Sequence, residues 1–268
     1  MNVFAIESSC DDTSFALVSS KKEIKLLKTF NHNDYHKNNG GVVPEIAARQ
    51  HLQIIDEATK YLKIIDFNKV DAIASTHGPG LIGSLIVGSS FSKGLAISKN
   101  KKLIPINHLQ AHLLSPRLVS EIDFPYLCLL VSGGNTAIVL VKNPTSFNVL
   151  GSTIDDSAGE CFDKVAKAMN LNYPGGPIIE KYAKNGDPHK YVLPKPLTKN
   201  QNCIFSFSGL KTASINTIRK NILNEKFKKD FSASFQFTMG EVFIDKINVS
   251  LNLLKEKKIE IKDFSICG

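Results

Sequence analysis

Apolar and polar positions alternate through the first thirty residues. Val3–Glu7, Ser14–Val18 and Ile24–Phe30 read as three short strands, with a polar tip, Ser8–Thr13, between the first two. A polar Asn/His/Gly stretch, Asn31–Gly41, follows. Pro44 and Glu45 then open a helix, the proline tolerated in a first turn and the acid favoured by the helix dipole. Its apolar positions Ala48, Leu52, Ile55 and Leu62 recur at helical spacing. Asp71–Thr76 reads as a buried strand, Gly80–Ser98 as a helix of small residues, Leu103–Ile106 as a strand, and Asn107 as the N-cap of a short helix.

After Pro125 the pattern starts again. Leu127–Val131, Ala137–Val141 and Phe147–Ile154 are three further strands, the first two joined by the Gly-rich tip Ser132–Thr136. A capping box from Ser157 to Glu160 marks the next helix. A last helix spans Ser232–Lys257, and Asp263–Cys267 reads as one more strand. Strand, polar tip, strand, strand and helix thus occur twice, about 124 residues apart, which predicts a duplicated α/β chain with mixed sheets. Each copy is expected to place its hairpin tip toward a common cleft, with lobes at 1–124 and 125–268.

Composition agrees with this picture. At 268 residues, 43% hydrophobic and 22% charged, the chain has apolar material for a core, and wholesale disorder is excluded. The densest apolar run, Leu81–Ser92, is broken by Gly83 and Gly88 and followed by Lys93, too short for a membrane span. Met1 leads straight into a strand, so no signal or transit peptide is expected, and the expected compartment is the cytoplasm. Five widely spaced cysteines with no C-x-x-C pair argue against a disulfide framework or zinc ribbon and for small buried hydrophobes. The net charge is +8, with +2 on residues 1–134 and +6 on 135–268. A positive second half suits a polyanion such as RNA, although lysine-rich helix faces are commonly just solvated.

Several clusters carry candidate chemistry. His108 and His112 stand four apart on one helix face, where both reach a single metal ion or are two ordinary histidines. Leu109 follows the first histidine, so the H-E-x-x-H of a zinc protease is absent, and two histidines need a further ligand. His32 and His36 share the spacing but sit in the polar loop stretch. Ser132–Thr136 is a hairpin turn, or a loop whose glycines let backbone N–H groups approach an anion. Pro174-Gly175-Gly176-Pro177 precedes a helix beginning at Ile178 and is a rigid turn or a site for phosphate or ribose. Asp11 and Asp12 favour the first turn or position an ion. Asp163 falls off the stripe Phe162, Val165, Ala166, Met169 and so faces solvent or a ligand. No G-x-x-x-x-G-K-[ST] and no G-x-S-x-G occurs, which argues against a P-loop enzyme and an α/β-hydrolase.

Ile6–Thr13 (IESSCDDT), Gly40–Arg49, His77–Gly88 (HGPGLIGSLIVG), NHLQAH, LLVSGGNT, Ile154–Lys164 (IDDSAGECFDK), YPGGP and Phe205–Thr212 (FSFSGLKT) occur in the order and spacing of one family. Together they resemble TsaD, the tRNA threonylcarbamoyladenosine transferases once called glycoproteases. The resemblance implies a two-lobed actin-like, sugar-kinase-like fold. It implies transfer of a threonylcarbamoyl group from threonylcarbamoyl-AMP to N6 of the adenosine 3′ of the anticodon. It also implies one metal, usually iron, on His108 and His112, with substrate held by Leu130, Val131, Ser132, Gly133, Gly134, Asp163 and Gly176. Asp11 is a candidate general base. The implied partners are tRNA, a paralogous TsaB-like protein of the same fold that pairs through N-lobe helices, and a small TsaE-like ATPase.

Gln110 and Ala111 stand where the family has Glu and Gly. Family members also continue past ICG into an Asn loop and a later metal-ligating aspartate. The second lobe is therefore expected to be incomplete, and residues 1–268 alone to bind metal and adenylate poorly and show no transfer. Other readings are a non-catalytic scaffold, which the two histidines oppose, a sugar or acetate kinase, which would phosphorylate a small substrate, and a secreted glycoprotease, which the cytosolic character and the absent H-E-x-x-H contradict.

Overall fold

The computed structural model describes residues 1–31 and 42–268, so Gly40 and Gly41, the pair His32/His36 and most of the polar stretch lie outside the described residues. Two sheets repeat one ladder. In the first, β1 (Asn2–Glu7), β2 (Asp12–Ser19) and β3 (Ile24–Asn31) form an antiparallel meander. The strands β4 (Ala72–Gly78) and β5 (Lys102–Asn107) add in parallel, giving the order β3-β2-β1-β4-β5. In the second, β6 (Tyr126–Val131), β7 (Thr136–Asn143) and β8 (Ser146–Ser152) repeat the meander. There β9 (Asp263–Cys267) lies parallel to β6, giving β8-β7-β6-β9. The expected duplication is thus present, and among the described residues the second sheet has four strands where the first has five.

Tyr126–Leu130 are all buried, as a central strand covered on both faces requires. Leu127, Leu129, Ile138 and Leu140 meet Val165, Phe205, Phe231 and Phe235 in one core; Phe4, Ile6, Phe15 and Ile55 build the other. The helices are α1 (Pro44–Leu62), α2 (Ile82–Ser98), α3 (His108–Leu114), α4 (Ala158–Ala168), α5 (Gly175–Ala183), α6 (Ser208–Arg219) and α7 (Glu225–Glu256). No helix among the described residues is long and apolar enough to cross a membrane.

The chain divides into compact units Met1–Ala111 and His112–Gly268, thirteen residues before the expected boundary at 124/125. The residues between belong to the second unit because they pack there. Tyr126 Oη donates to Leu113 O at 2.6 Å, and Arg117 lies 4.1 Å over the Phe124 ring while donating to Ile122 O at 3.0 Å.

Other expectations shift. α7 starts at Glu225, seven residues before Ser232, because Asn224 caps it by accepting the Phe227 N–H and Phe227 and Phe231 are buried. α5 starts at Gly175, not Ile178, so both glycines of PGGP lie in its first turn. Ser157 accepts the Glu160 N–H at 3.1 Å as expected, whereas the Glu160 carboxylate turns to Lys164 at 2.6 Å. Cys128, Cys161 and Cys203 are buried hydrophobes, but Cys10 is exposed, and Cys128 and Cys267 bring their free thiols to 3.5 Å across β6 and β9.

Candidate functional site

In the first unit the candidate chemistry gathers at the turn between β1 and β2. The small residues of α2 let it lie against this turn. A Cβ on Gly88 would collide with the Ser8 side chain, and one on Gly80 would stand 2.5 Å from Ser9 O. Ser8 Oγ donates to Ser84 O at 2.9 Å, Ser84 Oγ to Cys10 O at 3.2 Å, and the Leu81 N–H to Ser9 O at 2.8 Å. Internal packing therefore accounts for Gly80 and Gly88, and Gly83 comes 3.0 Å from the Ala48 Cβ.

His51, fully buried on α1, secures the turn from the other side. Its Nε2 donates to Cys10 O at 3.0 Å, and its Nδ1 shares a 2.6 Å hydrogen bond with Thr13 Oγ1. Asp11 rides half-buried on this pinned tip.

The same turn orients His108. Its Nδ1 lies 3.0 Å from Ser9 Oγ and 3.3 Å from Glu7 Oε1, and Glu7 also accepts the Ser9 N–H at 2.9 Å. Burial works against the Glu7 charge, but the hydrogen bonds with His108 and Ser9 outweigh it and hold the carboxyl below its usual range. A carboxylate beside one ring nitrogen is an arrangement typical of metal-ligating histidines. His108 and His112 stand one turn apart on α3, whose start is capped by Asn107 Oδ1 accepting the Gln110 N–H at 3.1 Å. Among the described residues no group of three or more His, Cys, Asp or Glu converges as a complete cation site. The donor chemistry of the two imidazoles fits a metal, with further ligands required.

In the second unit the glycine-rich turn closes on itself. The Ser132 N–H donates to Asn135 O at 2.8 Å, and the Asn135 N–H to Ser132 Oγ at 3.1 Å. The turn is seated on the start of α4: Ser157 Oγ donates to Gly133 O at 2.5 Å and the Ala158 N–H to Thr136 Oγ1 at 2.9 Å. A Cβ on Gly159 would press on Ser132 O at 2.6 Å, whereas Cβ atoms on Gly133 and Gly134 would meet nothing within 4 Å. Two glycines facing open space beside a helix N-terminus suit an anion. Leu130 is 2% exposed, so its side chain belongs to the core and only its backbone is available.

Asp163 does not simply face outward. Its Oδ1 accepts the Gly175 N–H at 2.7 Å, joining α4 to the first turn of α5. A Cβ on Gly175 would strike Ala166 and Phe162 O, while Gly176 opens on empty space. Next to this lies a cluster the sequence pattern did not reveal. Asp155 accepts from Ser206 Oγ (2.5 Å), Ser208 Oγ (2.7 Å) and the Phe207 N–H (2.8 Å), and so caps α6. Asp156 pairs with Lys164 at 2.9 Å and Lys211 at 2.5 Å. Alternate Phe and Ser in FSFS carry no cap of their own. The cap comes from about fifty residues upstream, so no local signal announced it.

The chain is similar to known proteins along most of its length. Residues 25–262 match the family model TsaD: tRNA N6-adenosine threonylcarbamoyltransferase. The protein of that name from Rickettsia rickettsii (strain Sheila Smith) is 47% identical over all of this chain and 80% of its own length. That from Rickettsia prowazekii (strain Madrid E) is 46% identical over 95% of this chain and 67% of its own length. Among solved structures, component A of the (R)-2-hydroxyglutaryl-CoA dehydratase of Acidaminococcus fermentans aligns over 99% of this chain and 91% of its own. Its TM-score is 0.53 at 11% identity. A ROK family protein from Streptococcus pneumoniae aligns over 100% of this chain and 80% of its own, with a TM-score of 0.51 at 13% identity. These two show the fold alone, the duplicated α/β fold of the actin-like and sugar-kinase-like proteins.

Proposed function

Because this chain belongs to the tRNA N6-adenosine threonylcarbamoyltransferase family, we propose how its own residues serve that transfer, with threonylcarbamoyl-AMP as donor and N6 of the adenosine 3′ of the anticodon as acceptor. The family match across residues 25–262 carries the reading; the seating of the Gly133–Gly134 turn on α4 supports the role of each part.

An exocyclic adenine amine is a weak nucleophile, so the barrier falls chiefly through donors aimed at the charge that develops on the leaving phosphate. The backbone N–H groups around Gly133 and Gly134 are suited to that charge, and the contacts from Ser157 and Thr136 keep the turn from reorganising. Asp163 holds α5 so that Gly176 leaves room for the sugar or base of the adenylate. Asp11, on the tip pinned by His51, is the candidate for taking the proton that the amine loses.

His108 and His112 would hold one divalent ion, iron being our assignment, and such an ion supplies Lewis acidity toward a carbonyl or phosphate oxygen. Glu7 and Ser9, both at His108 Nδ1, orient the ring for that role. The chain acts in the cytoplasm, together with a paralogous protein of its own fold and a small ATPase.

The test combines the chain with those partners, threonylcarbamoyl-AMP and an unmodified tRNA transcript, and reads the nucleosides by mass. Threonylcarbamoyladenosine should accumulate once the family's Asn loop and later aspartate are supplied on the chain, not with residues 1–268 alone, and less of it with His108→Ala. ATP-dependent phosphorylation of a sugar without modified nucleoside would overturn the reading in favour of a kinase.

A further inference from the structure

The positive charge of the chain is concentrated in one stretch. Residues 181–230 carry 11 basic and 3 acidic side chains, an excess equal to the net +8 of the whole chain; everywhere else the two signs balance at 22 each. Within that stretch, residues 184–203 form neither helix nor strand and run as a strap along α7.

The attachments of the strap advance in step with the helix. The Asp187 N–H donates to Asp230 Oδ1 (3.0 Å), the Tyr191 N–H to Ser234 Oγ (3.1 Å) and the Lys199 N–H to Asp245 Oδ1 (3.1 Å). Fully buried Lys246 donates Nζ to Leu197 O at 2.5 Å and Asn202 O at 3.1 Å, and Ser250 Oγ donates to Cys203 Sγ at 3.0 Å. From Asp230 to Ser250 the helix rises about 30 Å, so the strap is fastened along that whole length.

This fastening fixes the spacing of what faces outward. Lys184, His189, Lys190, Lys195 and Lys199 are all exposed. Lys195 pairs with Glu241 at 3.1 Å and Lys184 with Glu180 at 3.7 Å, whereas Lys190 and Lys199 form no ion pair among the described residues. The nearby acids are engaged with backbone: Asp230 and Asp245 by strap N–H groups, Asp187 by the His189 N–H at 2.8 Å. Amid these lysines Phe237 is 39% exposed, its ring 4.7 Å from that of His189 and 5.9 Å from the Lys195 ammonium.

We propose that the strap over α7 is a docking ledge for RNA, in which Lys190, Lys195 and Lys199 follow successive phosphates and Phe237 with His189 receives an unstacked base. The assignment rests on the transferase reading, which makes a tRNA the acceptor. Lysines on a mobile loop would give diffuse attraction only, but lysines on a fastened strap hold the register that phosphate contacts need. An aromatic face among cations is the feature that single-stranded RNA adds to a plain basic surface. The ledge also starts where it should. α5 runs from Gly176 directly into the strap, about 13 Å later, so an RNA whose reacting base approaches that glycine continues along it.

The test measures binding of the full chain to a tRNA transcript across a salt series. The triple variant Lys190→Ala/Lys195→Ala/Lys199→Ala should lower the slope of log affinity against log salt by about two to three, and the corresponding triple arginine variant should restore it. Phe237→Ala should weaken binding about tenfold with the slope unchanged. If the alanine triple binds tRNA with the affinity and slope of the unsubstituted chain, the ledge is wrong and the transferase reading survives. If the unsubstituted chain binds no tRNA, the ledge is wrong, and the transferase reading is decided separately by the modified nucleoside read by mass.

Discussion

One oxygen of Asp163 receives the Gly175 N–H at 2.7 Å, so the carboxylate is simultaneously a candidate substrate group and the tie between two helices. The two roles separate by substitution. Asp163→Asn keeps an acceptor at Oδ1 and should leave the melting temperature nearly unchanged, while Asp163→Ala should cost about 1–2 kcal/mol. Both should raise KM for threonylcarbamoyl-AMP if the charge itself faces substrate. An alanine variant with an unaltered melting temperature would show that the tie contributes little.

A single methyl group should disturb the β1–β2 turn. Gly88→Ala places its Cβ against Ser8, whose hydroxyl is committed to Ser84 O and cannot swing away without losing that bond. The expected loss is about 1–3 kcal/mol in thermal or urea unfolding. Ser8→Gly in the same chain removes both atoms in the way and should recover most of it; no recovery would place the strain elsewhere.

Metal affinity should depend on residues that never touch the metal. Ser9→Ala and Glu7→Gln both loosen the hold on His108 Nδ1, and each should weaken binding of a divalent ion about 10- to 100-fold in a calorimetric titration. His108→Ala or His112→Ala should abolish it. Unchanged affinity in the Ser9 and Glu7 variants would mean that the ring is oriented by other contacts.

The acid limb of stability should carry the signature of Asp155. Burial opposes its charge, but the donors on Ser206, Phe207 and Ser208 prevail and hold its folded pKa below the ordinary aspartate value. A lowered pKa stabilises the fold above the unfolded value, and that contribution disappears as pH falls through the folded one. Melting temperature should therefore be insensitive to this group from pH 7 to about 5 and drop below about 4. Asp155→Asn should flatten that drop, and an unchanged acid limb would remove Asp155 from the account.

Much of this architecture was written in local patterns. Alternation gave the meanders, Asn107 and Ser157 marked helix starts, and the repeat of one strand series gave the duplication. What escaped was whatever depends on distant partners. α6 has Ser214 as well as Leu210 and Ile218 on its buried side, which blurs its apolar stripe, and its cap lies at Asp155. The first turns of α7, EKFKKDF, read as a charged stretch until Phe227 and Phe231 find their core. His51 and Lys246 are residue types expected at the surface, buried here because carbonyls 41 and 44 to 49 residues away take their protons. In the candidate site, the glycines and α3 histidines were visible as motifs, whereas the supporting groups Glu7, Ser9, Ser157 and Asp155 acquire meaning only from distances.

The parallel closing strands impose an order in time. In the first sheet β4 pairs Ala72 with Val3, but in the second β9 pairs Asp263 with Tyr126, at nearly twice the separation. Loop entropy makes that doubling cheap, about 0.6 kcal/mol. Synthesis does not. At about 5–20 residues per second, the ribosome needs roughly 7–26 s to pass from the end of β6 to the start of β9. Through that interval β6, among the most apolar segments of the chain, has one hydrogen-bonding edge without its final neighbour. The nascent second unit should therefore be the stage at which this protein most needs a chaperone.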